Sequence, residues 1–277
     1  MYKRHLPIGA VGFALETGAR RRRCIEGSGA GRARSHLMVH PTSSLTSPVR
    51  LGLLGGFRLS IEARIVSLPM NAQRLVSFLA LQDRPLLRTF VAGSLWGDAT
   101  QRRAGGSLRS ALWRLGHPRY SLVSLTGEHV ELSDAVAVDF REGKQLAHRV
   151  LDPSIELDEI GEMNEEVLSA DLLPDWTEDW VLLERERYHQ LRLRALEALC
   201  ARLSASGRFG QAVQAGLAAV AGEPLRESAR RALIEAHLGE GNVGAALREY
   251  QAFADLLLTE LGLQPSDEML ALVKHLL

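Results

Sequence analysis

The densest set of side chains able to do chemistry lies between Gln101 and Leu115, QRRAGGSLRSALWRL. Arg102, Arg103, Arg109 and Arg114 supply guanidiniums, Ser107 and Ser110 supply hydroxyls, and the stretch contains no carboxylate. Guanidinium forks match phosphate oxygens and the O6/N7 edge of guanine. The chemistry on offer is therefore recognition of a polyanion, double-stranded DNA above all. The spacing arranges these groups. Ala104, Leu108, Ala111, Leu112 and Leu115 fall at i, i+4, i+7, i+8 and i+11, the apolar face of a helix. Arg102 and Arg109 share the opposite face, and both are expected to touch DNA, with Arg109 as the base reader. Arg103 and Arg114 flank that face and suit phosphates. Ser107 and Ser110 suit a phosphate or a base edge, or simply water. Trp113 projects away from the apolar stripe and is expected to pack on a neighbouring helix or hairpin, with stacking on a deoxyribose as the alternative. On this stretch alone, a solvated basic face on an ordinary core helix is as good a reading as a DNA reader.

Catalytic and metal chemistry find no support in the inventory. There is no GxxxxGK[ST] loop, no HExxH, no GxSxG, and the nine histidines are scattered. The patch Gly27 to Gly31 has neither the preceding strand nor the following helix of a nucleotide loop. No catalytic residue, metal or cofactor is expected, and the chain is not read as an enzyme. Cys24 and Cys200 stand far apart in unlike contexts, which argues against a disulfide framework and fits a reducing cytoplasm. No apolar run approaches the roughly 20 residues of a membrane span, so no membrane partner is expected. The net charge of zero conceals a division. Residues 1–134 hold 19 Lys and Arg against 8 Asp and Glu, and residues 135–277 hold 14 against 25. One half suits a polyanion and the other does not.

The elements that must position the arginines read as follows. Residues 1–48 mix Gly, Ser, Pro and Arg and predict no fold. They are either a basic arm that adds general DNA affinity or an upstream extension with Met38 as the true start, and the apolar run Leu6 to Leu15 is too short and interrupted for a secretory signal. From Val49 the pattern alternates, breaks at Gly55-Gly56, and alternates again through Phe57, Leu59 and Ile61. With a third short run over Ile65 to Leu68, this predicts a small antiparallel sheet. Helices are predicted over 72–81, 90–96 and 101–115. A hairpin follows over 122–132, turning at Thr126-Gly127-Glu128. Sheet, three helices and hairpin make a winged helix, whose third helix enters the major groove. Arg84, Arg88 and Thr89 then fall at the start of the second helix, with Thr89 as its N-cap, where backbone N–H groups favour a phosphate. The plainer reading is an exposed loop with a cap. His129, in the wing, is a candidate for a minor-groove or phosphate contact.

Beyond Asp139 long amphipathic helices take over. One is predicted over 180–204, with Leu183, Leu191, Leu193, Leu196, Leu199 and Leu203 among its apolar positions. The heptapeptide starting at Gly207, GRFGQAV, returns at Gly241 as GNVGAAL. A period near 34 residues is that of tetratricopeptide repeats, with Ala212 and Ala246 where paired helices cross closely. Trp176, Trp180 and Arg185 are read as packing residues, and Glu223, Arg226 and Glu227 as an ion-pair network between helices. Pro265-Ser266-Asp267 starts a final helix that closes the stack.

These motifs resemble the Streptomyces antibiotic regulatory protein family over residues 49 to the C-terminus. The resemblance is carried by LGLLGGFRLS (Leu51 to Ser60), QRLVSFLAL (Gln73 to Leu81), SLWGD (Ser94 to Asp98) and RAGGSLRSALWRL (Arg103 to Leu115). In the second half it is carried by LLPDWTEDWVLLERER (Leu172 to Arg187), AAVAGEPLRESARRALIEAHLGEGN (Ala218 to Asn242) and ELGLQPSDE (Glu260 to Glu268). The family implies a mainly α fold with a small β component. An N-terminal OmpR-type winged helix-turn-helix (49–134) is followed by an all-α tetratricopeptide-like bacterial transcriptional activator domain (139–277). The resemblance further implies an activator that binds direct repeats near a promoter as a head-to-tail dimer, contacts RNA polymerase and often serves secondary-metabolite gene clusters. The chain departs from the family pattern at Ser107, where Asn is usual, at Gly105 and Gly106, which predict fraying of the third helix, and at Ala63, where a turn glycine is usual. These departures leave a second reading open, a tetratricopeptide-like scaffold whose winged helix has lost sequence-specific DNA binding.

Overall fold

The computed structural model describes residues 49–116, 121–160 and 165–276. The expectations for residues 1–48 lie outside them. Strand β1 (Val49–Gly52) pairs antiparallel with β2 (Arg58–Ile61), Val49 opposite Ile61 and Leu51 opposite Leu59. Alternation sends Val49, Leu51 and Leu59 into the core. Gly55 and Gly56 turn the chain at φ 76° and 131°, as the double glycine predicts. Strand β3 (Arg64–Ile65) is shorter than its apolar run, and Ile65 is exposed. The turn before it places Glu62 and Ala63 at φ 47° and 63°, the left-handed region where the missing glycine would have been at ease.

Helix α1 (Met70–Ala80) starts after Pro69, and its second half, from Leu75 to Ala80, is buried on all sides. Strand β4 (Leu86–Leu87), which the sequence pattern did not predict, leads straight into α2 (Arg88–Leu95), and α3 (Gln101–Leu115) follows. The wing is β5 (Val123–Thr126) and β6 (His129–Leu132), joined at Gly127, with β4 paired on the other edge of β6. Strand β7 (Val136–Val138) then returns beside β1 in parallel, giving the sheet order β3-β2-β1-β7. The expected antiparallel sheet thus acquires a parallel fourth strand, made possible because the three helices and the wing form the long crossover a parallel pair requires.

The helical half comprises α4 (Asp139–Leu151), a 3-10 turn (Leu157–Ile160), α5 (Glu165–Ser169), α6 (Asp179–Ala205), α7 (Phe209–Gly222), α8 (Glu227–Gly239), α9 (Val243–Leu261) and α10 (Asp267–Val273). The repeat is real in space. Gly207 and Gly241 reverse the chain after α6 and α8 at φ 74° and 82°. Ala212 and Ala246 are wholly buried at the corresponding points of α7 and α9. At Gly216 a Cβ would stand 3.1 Å from Leu233, so α7 and α8 cross at backbone distance. Leu193, Leu196, Leu199 and Leu203 carry α6 into this core, whereas Leu183 is exposed, because the first turns of α6 lie along the winged helix rather than inside the stack. Ser266 caps α10 by accepting from the Met269 N–H, so the helix begins at Asp267, within the predicted Pro265-Ser266-Asp267 start.

The two halves are bolted together. The Asp139 carboxylate accepts from the backbone N–H groups of Leu53, Leu54 and Phe140 at 2.8, 3.1 and 2.7 Å, tying the β1–β2 loop to the start of α4. Burial holds this carboxyl above the usual Asp range, and the three N–H donors offset only part of that. Leu172 and Leu173 run against the same loop. Leu173 N–H bonds the Leu53 carbonyl and Gly55 N–H the Asp171 carbonyl, both at 2.8 Å. Phe57, Trp176, Trp180 and Phe78 form a chain of ring contacts 5.2–6.3 Å apart across the junction. The packing role read for Trp176, Trp180 and Arg185 is what the structure contains, Arg185 donating to the carbonyls of Leu172, Leu173 and Trp176.

Candidate nucleic-acid interface

Helix α3 is held from below. Ala104, Leu108, Ala111 and Leu115 are buried against α1 and α2, and Leu112 is half-buried. That anchoring keeps α3 unbroken through Gly105 and Gly106, where the two glycines predicted fraying; each costs about 0.5–1 kcal/mol against Ala, and the buried leucines outweigh it. On the other side Arg102, Arg103, Arg109, Ser110 and Arg114 are exposed, while Ser107 is turned half into the protein. None of the four guanidiniums has an ion pair or hydrogen bond among the described residues. Arg109 folds back along its own helix. A Cβ at Gly105 or Gly106 would meet only this guanidinium, at 3.7 and 3.8 Å.

Trp113 does not pack on a neighbour. It is 75% exposed, and its ring carries the Arg114 guanidinium 5.1 Å from the centroid. The apolar stripe is already complete without it, so the indole has no core to enter. Its position was legible: Arg102, Gly106, Arg109 and Trp113 stand at i, i+4, i+7 and i+11, the same spacing that defines the buried face.

The residues ahead of α2 divide. Thr89 is not its N-cap. Leu87 holds that position with no side-chain cap, because Leu86 and Leu87 are committed to pairing with Val130 and His129. The Arg88 backbone N–H is thereby given to the Glu128 carbonyl at 2.9 Å instead of facing a phosphate. Arg88, Thr89, Arg109 and Glu128 border one groove of about 420 Å³ between α2 and α3, floored by Ala92, Ala104 and Leu108. Arg84 is elsewhere. It borders a separate cleft of about 540 Å³ with Phe140, Lys144 and Tyr188, where the winged helix meets α4 and α6. His129 is exposed at the start of β6.

In the helical half, Arg226 pairs with Glu197, Glu223 with His189, and Glu227 accepts from Ser266. The three residues do tie helices together, though not to one another as expected. Cys200 is buried and its thiol is pushed up to about 11, which leaves it protonated and inert.

Residues 164–277 match the family described as Bacterial transcriptional activator domain. Among solved structures, Mycobacterium tuberculosis EmbR, in complex with a low affinity phosphopeptide, is similar with a TM-score of 0.57 and 20% sequence identity over 82% of this chain. The chain spans 64% of the length of that EmbR chain. No match emerges among curated proteins. The match over residues 164–277, behind a winged helix and in an EmbR-like fold, agrees with the resemblance to the Streptomyces antibiotic regulatory proteins read from the motifs. No helix among the described residues is long and apolar enough to cross a membrane.

Proposed function

We propose that this chain is a sequence-specific DNA-binding transcriptional regulator, built as a winged helix over 49–134 and an activator domain over 139–277. In this reading α3 enters the major groove. Arg109 reads a base, and Arg102, Arg103 and Arg114 hold phosphates, with Ser110 at their side. Ser107, half turned inward, takes a lesser part. His129 and the wing lie along the backbone, and Arg88 and Thr89 approach a phosphate from the second helix. Arg84, on the other cleft, contributes only at the edge of the site. The protein activates from direct repeats near a promoter as head-to-tail protomers, contacts RNA polymerase, works in the cytoplasm on the nucleoid, and serves a secondary-metabolite gene cluster.

The observation that carries the reading is the outward face of α3: exposed guanidiniums without partners among the described residues, mounted on a rigid, well-anchored helix. Unspent arginines on an ordered scaffold suit a dense array of phosphates, and a bidentate Arg–guanine pair supplies about 1–3 kcal/mol of discrimination. Fluorescence anisotropy against labelled duplexes from the upstream regions of neighbouring genes tests it. Specific binding is expected, and Arg109→Ala is expected to weaken it at least tenfold while leaving binding to unrelated duplex nearly unchanged. Binding with no sequence preference would instead favour the scaffold reading.

A further inference from the structure

We infer that Trp113 is a second base-reading residue, an apolar one, which contacts the C5-methyl group of a thymine. The inference rests on the reading of α3 as the major-groove helix. Three observations place the indole there. It is 75% exposed on a helix whose apolar face is complete without it. It stands on the stripe of Arg102, Gly106 and Arg109, so any surface that meets Arg109 also meets Trp113. Its ring lies 5.1 Å from the Arg114 guanidinium, a cation–π contact that limits its freedom before any partner arrives.

The contour of the stripe suits a groove floor. At Gly105 and Gly106 the helix has no side chains, and a Cβ there would meet nothing within 4 Å except the Arg109 guanidinium. Once the Arg109 side chain swings off these glycines toward a base, the backbone can approach the groove floor closely at the middle of the stripe. Four residues separate Arg109 from Trp113, a rise of about 6 Å, which is close to two base-pair steps at about 3.4 Å each. In the major groove the only apolar group a base presents is the thymine methyl. A large exposed ring that carries the Arg114 guanidinium is a poor fit to a protein partner's apolar surface, since that cation would be stripped of water. It fits a surface that carries phosphates at its rim and a methyl group on its floor.

The test uses the full chain and a duplex that it selects itself from a randomised pool. Each thymine of the selected site is replaced in turn by deoxyuridine, which removes the methyl and leaves base pairing unchanged. For the unaltered protein, one replacement about two base pairs from the guanine sensitive to Arg109→Ala is expected to weaken binding about fivefold to tenfold. Trp113→Ala is expected to lose about the same factor, and the deoxyuridine replacement to cost it nothing further. Trp113→Phe is expected to keep part of the effect. Because the indole is exposed, both variants should unfold at the same denaturant midpoint as the parent. If Trp113→Ala weakens binding equally on every deoxyuridine duplex, the ring lies on sugar and phosphate and the inference fails. If it leaves binding intact and lowers self-association in sedimentation, the ring faces a second copy and the inference fails. If no specific site can be selected at all, it is the reading of α3 that falls.

Discussion

Arginine is used in two opposite ways in this molecule. On α3 the guanidiniums of Arg102, Arg103 and Arg109 reach solvent with no hydrogen bond or ion pair among the described residues, and Arg114 touches only the Trp113 ring. In the helical half several are consumed. Arg192 is 3% exposed, donates to the Ser169 carbonyl at 3.0 Å and pairs with Asp171. Arg202 is spent on the carbonyls of Val150, Asp152 and Ile155, and Arg230 on Glu249. The same residue type serves as structural mortar in one region and as a reserve of hydrogen-bond donors in the other. Counting arginines could not have told the two apart. What separates them is whether carbonyls and carboxylates are within reach once the chain is folded.

The contrast has measurable consequences. Arg192→Ala should be the most damaging change, about 3 kcal/mol off the unfolding free energy in urea, because a nearly buried guanidinium that serves backbone carbonyls and the half-exposed Asp171 carboxylate is lost. A loss below about 1 kcal/mol would mean that water replaces the guanidinium and that the mortar description is wrong. Gly143→Ala probes the packing around it. A Cβ there would lie 2.8 Å from Val167 and nearer still to the Tyr188 hydroxyl, which donates to the Val167 carbonyl. About 2 kcal/mol of destabilisation is expected, with the thermal midpoint as the readout.

Asp139 gives a pH signature at the junction. Its folded pKa is raised above the unfolded value, so the folded chain binds this proton more tightly than the unfolded one. The contribution of the group is therefore most favourable below the unfolded value of 3.8, declines as pH rises through the raised value, and stays lower above it. The stability difference between the parent and Asp139→Asn should fall with rising pH across that window. A difference that grows would show that the three N–H donors, not burial, dominate. Arg109→Ala closes the series with the smallest expected change, within about 0.5 kcal/mol of the parent in unfolding, since the side chain is exposed and makes no hydrogen bond or ion pair among the described residues.

Much of this was legible in the residues. The i, i+4, i+7 spacing located α3 and its buried side, the alternation and Gly127 located the wing, and the recurrence of Gly207 at Gly241 located the repeat. What was not legible depends on partners distant in sequence. Strands β4 and β7 are two and three residues long, too short for a periodicity, and exist only because β6 and β1 offer free edges. That pairing also took the cap position from Thr89. Leu172 and Leu173, for which the pattern predicted no role, bury themselves in the core of the winged helix. Trp113 departs from the expected packing for a local reason: it stands on the outward stripe of α3, where no neighbouring core receives it.

The junction also bears on how such a protein can acquire new targets. The core beneath α3 includes Phe140, Leu172, Leu173, Val181 and Tyr188, contributed from beyond the wing. Exchanging the winged-helix half as a cassette would leave half of an aromatic chain and half of a carboxylate latch on each side of the splice. The outward stripe of α3 is bound by no such obligation, because its arginines make no hydrogen bond or ion pair among the described residues and Trp113 is 75% exposed. New specificity is therefore cheapest by single substitutions at positions 102, 106, 109 and 113, and a lineage of such proteins should diversify there while its interdomain seam stands still.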